Sequence, residues 1–225
     1  MQFLKSLAAG AALLCAAGAA QATTVSFGGS FSNDLGSTVD CSVFSAGCGD
    51  FSVAASSSGL LNDSAVVSRR GNGIGVNAPG GILGFPIPDL QPGQLDGFPE
   101  PSQESLTFSF DAQVSLTSIV LAKLNTGGDN DDEFDLFVDG GLFINNGTSS
   151  TVTGPIVLSQ FTISAIGGDA ANDTNGFFGF GAKFDDFRVK SISYENISAV
   201  PLPASSLLLL AGLGGLAALR RRKKA

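Results

Sequence analysis

Apolar and polar residues alternate along much of the middle of the chain. The run Leu106-Thr-Phe108-Ser-Phe110 alternates cleanly, as a strand with one buried face does. The stretch from Val114 to Leu124 is rich in β-branched residues, and its centre, Ile119-Val120-Leu121, predicts burial on both faces. No apolar stretch between residues 23 and 198 keeps a helical period for long. The pattern therefore predicts a body made of strands.

Turn residues mark further strands in the second half of the chain. Phe134 to Val138 runs into Asp139-Gly140, a hairpin signal, and Leu142 to Ile144 is expected to return as the partner strand. Phe184 to Ile197 predicts the last strand, and a change in its apolar phase predicts a bulge near Lys190. Several short strands with turns between them indicate an all-β fold, a single β-sandwich of jelly-roll type.

Three stretches predict loops instead of strands. Ser56 to Ser58 and Ser68 to Gly75 are loop-like, although Gly73 to Val76 is an alternative short strand. Ala78 to Pro101 holds six of the nine prolines, and proline is excluded from central strands. We expect this stretch to be an ordered surface loop that wraps around the body, with a binding loop as the alternative interpretation.

The start of the chain, residues 1–22, has the pattern of a secretory signal peptide. Lys5 supplies a positive charge, Leu7 to Ala17 is a short apolar segment, and Ala20-Gln21-Ala22 fits an A-x-A cleavage site. Residues 23–198, which follow this site, are expected to form one secreted β-sandwich domain, long enough to bury a sizeable hydrophobic core.

The C-terminal region, residues 199–225, contains three parts in order. The first is a short segment whose two prolines hold it extended, formed by Val200, Pro201, Leu202, Pro203 and Ala204. The second, Leu207 to Leu219, is almost wholly apolar. The third is a basic cluster made of Arg220, Arg221, Arg222, Lys223 and Lys224. Moving five cations through hydrocarbon is costly, so the cluster is expected to act as a membrane stop.

The apolar part of this region is short for a permanent anchor. Ala204 to Leu219 would form about 24 Å of helix, whereas the hydrocarbon core of a bilayer is roughly 30 Å thick. A plain tail anchor and a buried apolar helix are the alternative interpretations. Five consecutive cations at the end of the segment argue against the buried helix.

The order of these three parts resembles the PEP-CTERM family of sorting signals, in its VPLPA variant. The resemblance implies a substrate of an exosortase-type membrane transpeptidase in a Gram-negative bacterium, with Val200 to Ala204 as the sorting motif. It also implies that a transmembrane helix holds the exported chain in the inner membrane for a time, before the protein reaches the cell surface or the extracellular matrix. Short motifs in the body, such as Gly73 to Val76 and Glu104 to Phe110, are similar to the jelly-roll bodies of many such proteins.

Charge limits the choice of partners. The terminal segments hold Lys5 and the five tail cations, six of the 12 basic residues, which leaves six against all 20 acidic residues. The body therefore carries a net charge of about −14, whereas nucleic-acid binding needs a basic footprint. We expect no nucleic-acid partner.

Two cysteines remain after removal of a signal peptide that contains Cys15. These are Cys41 and Cys48, and an oxidising compartment favours a disulfide bond between them. Closing a loop of this size would stabilise the fold by about 2–3 kcal/mol in the chain-entropy model. A metal-binding pair is the weaker alternative, because the chain has no histidine to complete a site.

An acidic segment is the candidate metal site. Asp129, Asp131 and Glu133 place carboxylates at alternate positions, as at the start of a calcium-binding loop. Phe134 stands where an EF-hand needs glycine, so Ca²⁺ would bind in another geometry. A solvated acidic hairpin tip, without a metal, is the alternative interpretation.

Catalytic chemistry has little support in the sequence. Without histidine the chain cannot form nucleophile–histidine pairs, so we expect no enzyme activity. We expect an exported structural or adhesive protein of the cell surface or exopolysaccharide matrix. A calcium-assisted carbohydrate-binding module is the second interpretation, and a glycosidase that uses paired carboxylates is a distant third.

Overall fold

The computed structural model of this chain describes the greater part of the predicted body. The described residues are 22–29, 32–46, 48–49, 51–58, 64–78, 80–82, 85–87, 103–124, 132–165 and 187–197. Every described strand lies within one compact unit, Gln21–Asn196. The domain bounds predicted at residues 22/23 and 198/199 stay predictions.

Strands make up most of the described residues. In chain order they are β1 (Ala22–Ser26), β2 (Asn33–Gly36), β3 (Thr38–Asp40), β4 (Phe51–Ser58), β5 (Val66–Arg70), β6 (Gly73–Asn77), β7 (Gly80–Ile82), β8 (Phe85–Ile87), β9 (Gln103–Ala122), β10 (Phe134–Val138), β11 (Gly141–Gly147), β12 (Thr151–Ala165) and β13 (Arg188–Asn196). A 3₁₀ turn, Cys41–Val43, follows β3. The predicted all-β fold is confirmed.

The long strand β9 organises the sheet. Its first half pairs antiparallel with β4, from Gln103 to Phe110, and its second half pairs with β13, from Val114 to Ala122. Along its other edge it pairs with β12 over both halves. The intervening residues Asp111, Ala112 and Gln113 are exposed. The sheet therefore branches at β9 into two groups of strands, one with β4 and one with β13, which we call its layers.

The remaining strands extend these layers. β12 continues to β10 and then to β11, and β3 pairs with β4. β13 pairs with β1 along Ser191–Glu195 and with β6 at Val189. β6 in turn pairs with β5, and β5 pairs with β2. β7 and β8 form a separate two-stranded sheet.

Aromatic side chains from the two layers meet in the core. Phe27 follows β1, and its N–H donates to the carbonyl of Lys190 on β13 at 2.9 Å. The Phe27 ring lies 5.0 Å from that of Phe44 and 5.8 Å from that of Phe108 on the first half of β9, centroid to centroid. Phe27, which is hydrogen-bonded to β13, thus packs against the half of β9 that pairs with β4, so the branched sheet packs against itself as a β-sandwich.

Two local predictions are confirmed in detail. β10 and β11 form the expected hairpin, with Asp139 at φ 47° and Gly140 at φ 82°, the backbone that a two-residue hairpin turn requires. On β13, Val189 pairs with Leu121 and Ser191 pairs with Val120. Lys190 is therefore the extra residue of a bulge at the predicted position.

Two loop predictions were wrong. Ser56 to Ser58 continue β4, where the Ser56 hydroxyl lies 2.7 Å from that of Ser105 across the strand pair. Short hydroxyl side chains fit the outer face when the partner strand also presents hydroxyls. Within Ser68 to Gly75, β5 and β6 form a tight hairpin, so the alternative strand at Gly73 to Val76 is confirmed.

The proline-rich stretch Ala78 to Pro101 is described only in part. Its described residues include β7 and β8, a small antiparallel pair in which Gly81 opposes Pro86. The pair lies apart from the main sheet, as expected for residues that cannot join a central strand. The rest of the predicted loop lies outside the described residues.

Truncation of Phe27 tests whether the contact between the layers stabilises the fold. We expect Phe27→Ala to lower the free energy of unfolding of the mature protein by about 3–5 kcal/mol, because a fully buried ring is replaced by a cavity. Phe143 on β11 is 53% exposed, so Phe143→Ala is the matched control and should cost less than about 1 kcal/mol. Urea denaturation measures both, and equal losses would contradict this account of the core.

Candidate functional site

The disulfide loop lies beside the end of β13. Asp40 ends β3, the 3₁₀ turn begins at Cys41, and the Phe44 N–H donates to the Cys41 carbonyl at 2.8 Å. Cys41 is bonded to Cys48, with the two Cα atoms 6.1 Å apart. The predicted disulfide is therefore confirmed. Cys41 is 2% exposed, so the bond joins the loop to the core.

Tyr194 of β13 connects this loop to both layers. Its hydroxyl accepts a hydrogen bond from the Gly49 N–H at 2.9 Å, and a Cβ at Gly49 would overlap that hydroxyl oxygen. The Tyr194 ring lies 5.9 Å from that of Phe51 and 5.1 Å from that of Phe110, both edge-on. The side chain is 1% exposed, so it holds the C-terminal end of β13 in the core.

Sequence reasoning gave Tyr194 no such role. The available signal was that a chain with 18 phenylalanines has a single tyrosine, placed in its last strand. A buried tyrosine needs a partner for its hydroxyl. The identity of that partner depended on the folding of a loop 145 residues earlier in the chain.

The carboxylate of Asp34 on β2 belongs to a structural network. Oδ1 accepts from the Ser68 hydroxyl at 2.7 Å and Oδ2 accepts from the Asn77 amide at 2.8 Å. The guanidinium of Arg70 lies 3.6 Å from Oδ1. Both carboxylate oxygens are thus used to join β2 to β5 and β6, which explains the charge without a ligand.

Arg69 on β5 has a similar structural role beside the C-terminal end of β1. Its guanidinium donates to the carbonyls of Phe27 and Gly28, at 2.9 Å and 2.8 Å. It also lies 6.0 Å from the centroid of the Phe44 ring. These contacts fix the chain just after β1, where Phe27 enters the core.

The candidate calcium residues are only partly described. Glu133 immediately precedes β10 and is half-buried, whereas Asp129 and Asp131 lie outside the described residues. Among the residues that are described, no group of three or more His, Cys, Asp or Glu side chains is placed to hold a metal ion. The calcium site therefore stays a prediction.

Three residues of the sequence separate the end of β13 at Asn196 from the predicted sorting motif at Val200. Both edges of this strand are paired near its end, since Glu195 opposes Ala22 of β1 and Asn196 opposes Val114 of β9. Ile197, the last described residue, is 47% exposed. The sorting motif from Val200 to Ala204, the apolar segment and the basic cluster Arg220 to Lys224 all lie outside the described residues.

No helix among the described residues is long and apolar enough to cross a bilayer. The transmembrane helix predicted at Leu207 to Leu219 and the signal peptide predicted before Thr23 lie outside that part of the chain, apart from Ala22 in β1.

Comparison with known proteins identifies the C-terminal region. The family model for the PEP-CTERM protein-sorting motif matches residues 199–223. This match confirms the resemblance inferred from the C-terminal residues, and it contains Val200 to Ala204, the apolar segment and most of the basic cluster. No curated protein matches the chain significantly.

The disulfide has a direct chemical test. Alkylation of the mature protein without reduction should leave Cys41 and Cys48 unmodified in the intact mass, whereas reduction first should add two alkyl groups. The double variant Cys41→Ser, Cys48→Ser should lose about 2–3 kcal/mol of unfolding free energy through the wider freedom of its unfolded chain. Two alkylated thiols in the unreduced protein would contradict the bond.

Calcium binding is tested by thermal unfolding with and without a chelator. If the acidic segment binds Ca²⁺, chelation should lower the unfolding temperature, and Asp131→Ala should abolish that shift by removing one of three carboxylate ligands. Asp34→Asn is the control, because Asp34 contacts only protein groups in the contacts described above. A shift that survives Asp131→Ala would place the site elsewhere, and no shift at all would favour the solvated hairpin tip.

Proposed function

We propose that this chain, which carries a PEP-CTERM protein-sorting motif at residues 199–223, is an exported structural or adhesive protein of the cell surface or the exopolysaccharide matrix. The motif implies export, transient anchoring in the inner membrane and processing by an exosortase-type membrane enzyme. The match to residues 199–223 is the single observation that carries the proposal.

The physical chemistry of the C-terminal region supports transient anchoring. The apolar segment is shorter than the hydrocarbon core, so its hold on the membrane is weak. The basic cluster resists translocation and keeps the segment from slipping through. Pro201 and Pro203 favour an extended backbone over a helix in the motif, and an extended peptide is the form that fits an enzyme cleft.

The outer face of the sheet supports a structural or adhesive role. Hydroxyl groups lie side by side on neighbouring strands, with Ser56 and Ser105 2.7 Å apart and Thr107 and Thr162 2.9 Å apart. Each hydroxyl group can both donate and accept hydrogen bonds. A hydroxyl-bearing face of this kind is compatible with a hydrated polysaccharide matrix.

A calcium-assisted carbohydrate-binding module is the second candidate function. The alternate carboxylates of Asp129, Asp131 and Glu133 favour it, because calcium can bridge a protein to sugar hydroxyls through oxygen ligands. Binding to a glycan array that disappears with a chelator would support this candidate. Binding that is insensitive to the chelator would favour an adhesive face without a metal.

Processing of the C-terminal region tests the main proposal. In the native host, Pro201→Ala with Pro203→Ala should leave an uncut precursor in the membrane, because the motif loses its fixed extended backbone. Ser205→Ala with Ser206→Ala keeps the prolines and the charges, and it should be processed like the unchanged protein. C-terminal peptide mapping of surface material is the measurement, and intact peptides spanning Leu207 to Leu219 in the unchanged protein would refute sorting.

A further inference from the structure

Asparagine followed by glycine is a chemically labile sequence, because glycine has no side chain to shield its peptide nitrogen from the asparagine side chain. The pairs Asn72–Gly73 and Asn146–Gly147 are described, whereas Asn175–Gly176 lies outside the described residues. The fold requires the glycine of both described pairs. A Cβ would lie 2.7 Å from the Val189 carbonyl oxygen at the first pair and 2.7 Å from the Phe134 ring at the second.

The side chain of Asn146 is exposed on β11, the strand at one end of the described sheet order. The register of β10 and β11 shifts at this point, so regular strand pairing is interrupted. Asn146 has a φ of 52°, and its N–H donates to Oδ1 of Asp135 at 3.1 Å. Within the described part of the chain, no hydrogen bond holds its side-chain amide. The amide is therefore free to turn toward the nitrogen of Gly147.

Asn72 offers an internal comparison in the same molecule. Its Oδ1 accepts a hydrogen bond from the guanidinium of Arg188 at 2.6 Å. It lies in the tight turn between β5 and β6, next to the buried Gly73. The side chain must leave the guanidinium before it can react with the Gly73 nitrogen, and a hydrogen bond from a charged donor is costly to break. The two asparagines thus share a following glycine and differ in their tertiary contacts.

We propose that Asn146 is a site of spontaneous deamidation in the folded protein, and that Asn72 is protected from this reaction. The Gly147 nitrogen attacks Cγ of Asn146, an N–C bond forms, and the Cγ–Nδ2 bond breaks. The proton of the attacking N–H leaves with the amide nitrogen as ammonia. Water then opens the cyclic imide at either of its two carbonyl carbons, which produces aspartate or isoaspartate. Each event adds one negative charge beside Asp135, and the inference is independent of the proposed sorting function.

Ageing of the protein isolated from its native host, followed by peptide mapping, tests this proposal. In mildly alkaline buffer, the peptide that contains Asn146 should change in mass from amide to acid and separate into aspartate and isoaspartate forms. Asn72 should react at least about tenfold more slowly, because its charge-assisted hydrogen bond must first break. In guanidinium chloride, which removes the tertiary contacts, the two asparagines should react at similar rates. Equal rates in the folded protein would overturn the proposal, and so would an Asn146 that reacts only after unfolding.

A variant without the protecting side chain sharpens the comparison. Arg188→Ala removes the donor and should speed deamidation of Asn72 several-fold. The rate at Asn146 in the same sample is the control, because partial unfolding would change both rates. Near-ultraviolet circular dichroism of Tyr194, the single tyrosine of a chain without tryptophan, checks that the core is folded. An unchanged rate at Asn72 in the folded variant would refute its protection by Arg188, and the comparison in the unchanged protein decides the proposal even if the variant unfolds.

Discussion

The pairing of β9 with a different neighbour along each half is the constraint on which the rest of the fold depends. Its 20 residues bind β4 at one end and β13 at the other, while β12 follows it on the opposite edge. Because the strand belongs to both layers, the layers cannot slide or separate without breaking it. The facing aromatic side chains then fill a core whose position is already set.

This arrangement also explains how the ends of the body are held. β13, the last described strand, is covered by β1 on one edge and by β9 on the other. Tyr194 adds a hydrogen bond to the loop that the disulfide closes. β13 is therefore paired along its length up to Asn196, and Ala22 at the start of β1 lies opposite Glu195 near the end of β13.

The sorting motif and the body of this chain differ in how much their sequences reveal about function. The sorting motif at residues 199–223 is readable from residue type and order alone, because a membrane responds to hydropathy, charge and proline wherever they occur. Among the described residues of the body, Arg69, Arg70 and the Asp34 carboxylate make contacts that stabilise strands. The body's proposed role therefore follows from its destination and its outer surface.

The sequence by itself determined those features of the fold that depend on residues close together in the chain. Alternation predicted the strands, Asp139-Gly140 predicted the hairpin turn, the phase change predicted the bulge at Lys190, and two remaining cysteines predicted the disulfide. Only the tertiary structure decided that Ser56 to Ser58 are strand and that Tyr194 meets Gly49. Serine has only a weak intrinsic preference between strand and loop, so its conformation depends on whether a neighbouring strand pairs with it. The partner of a buried hydroxyl likewise lies far away in the chain, so the local sequence pattern cannot identify it.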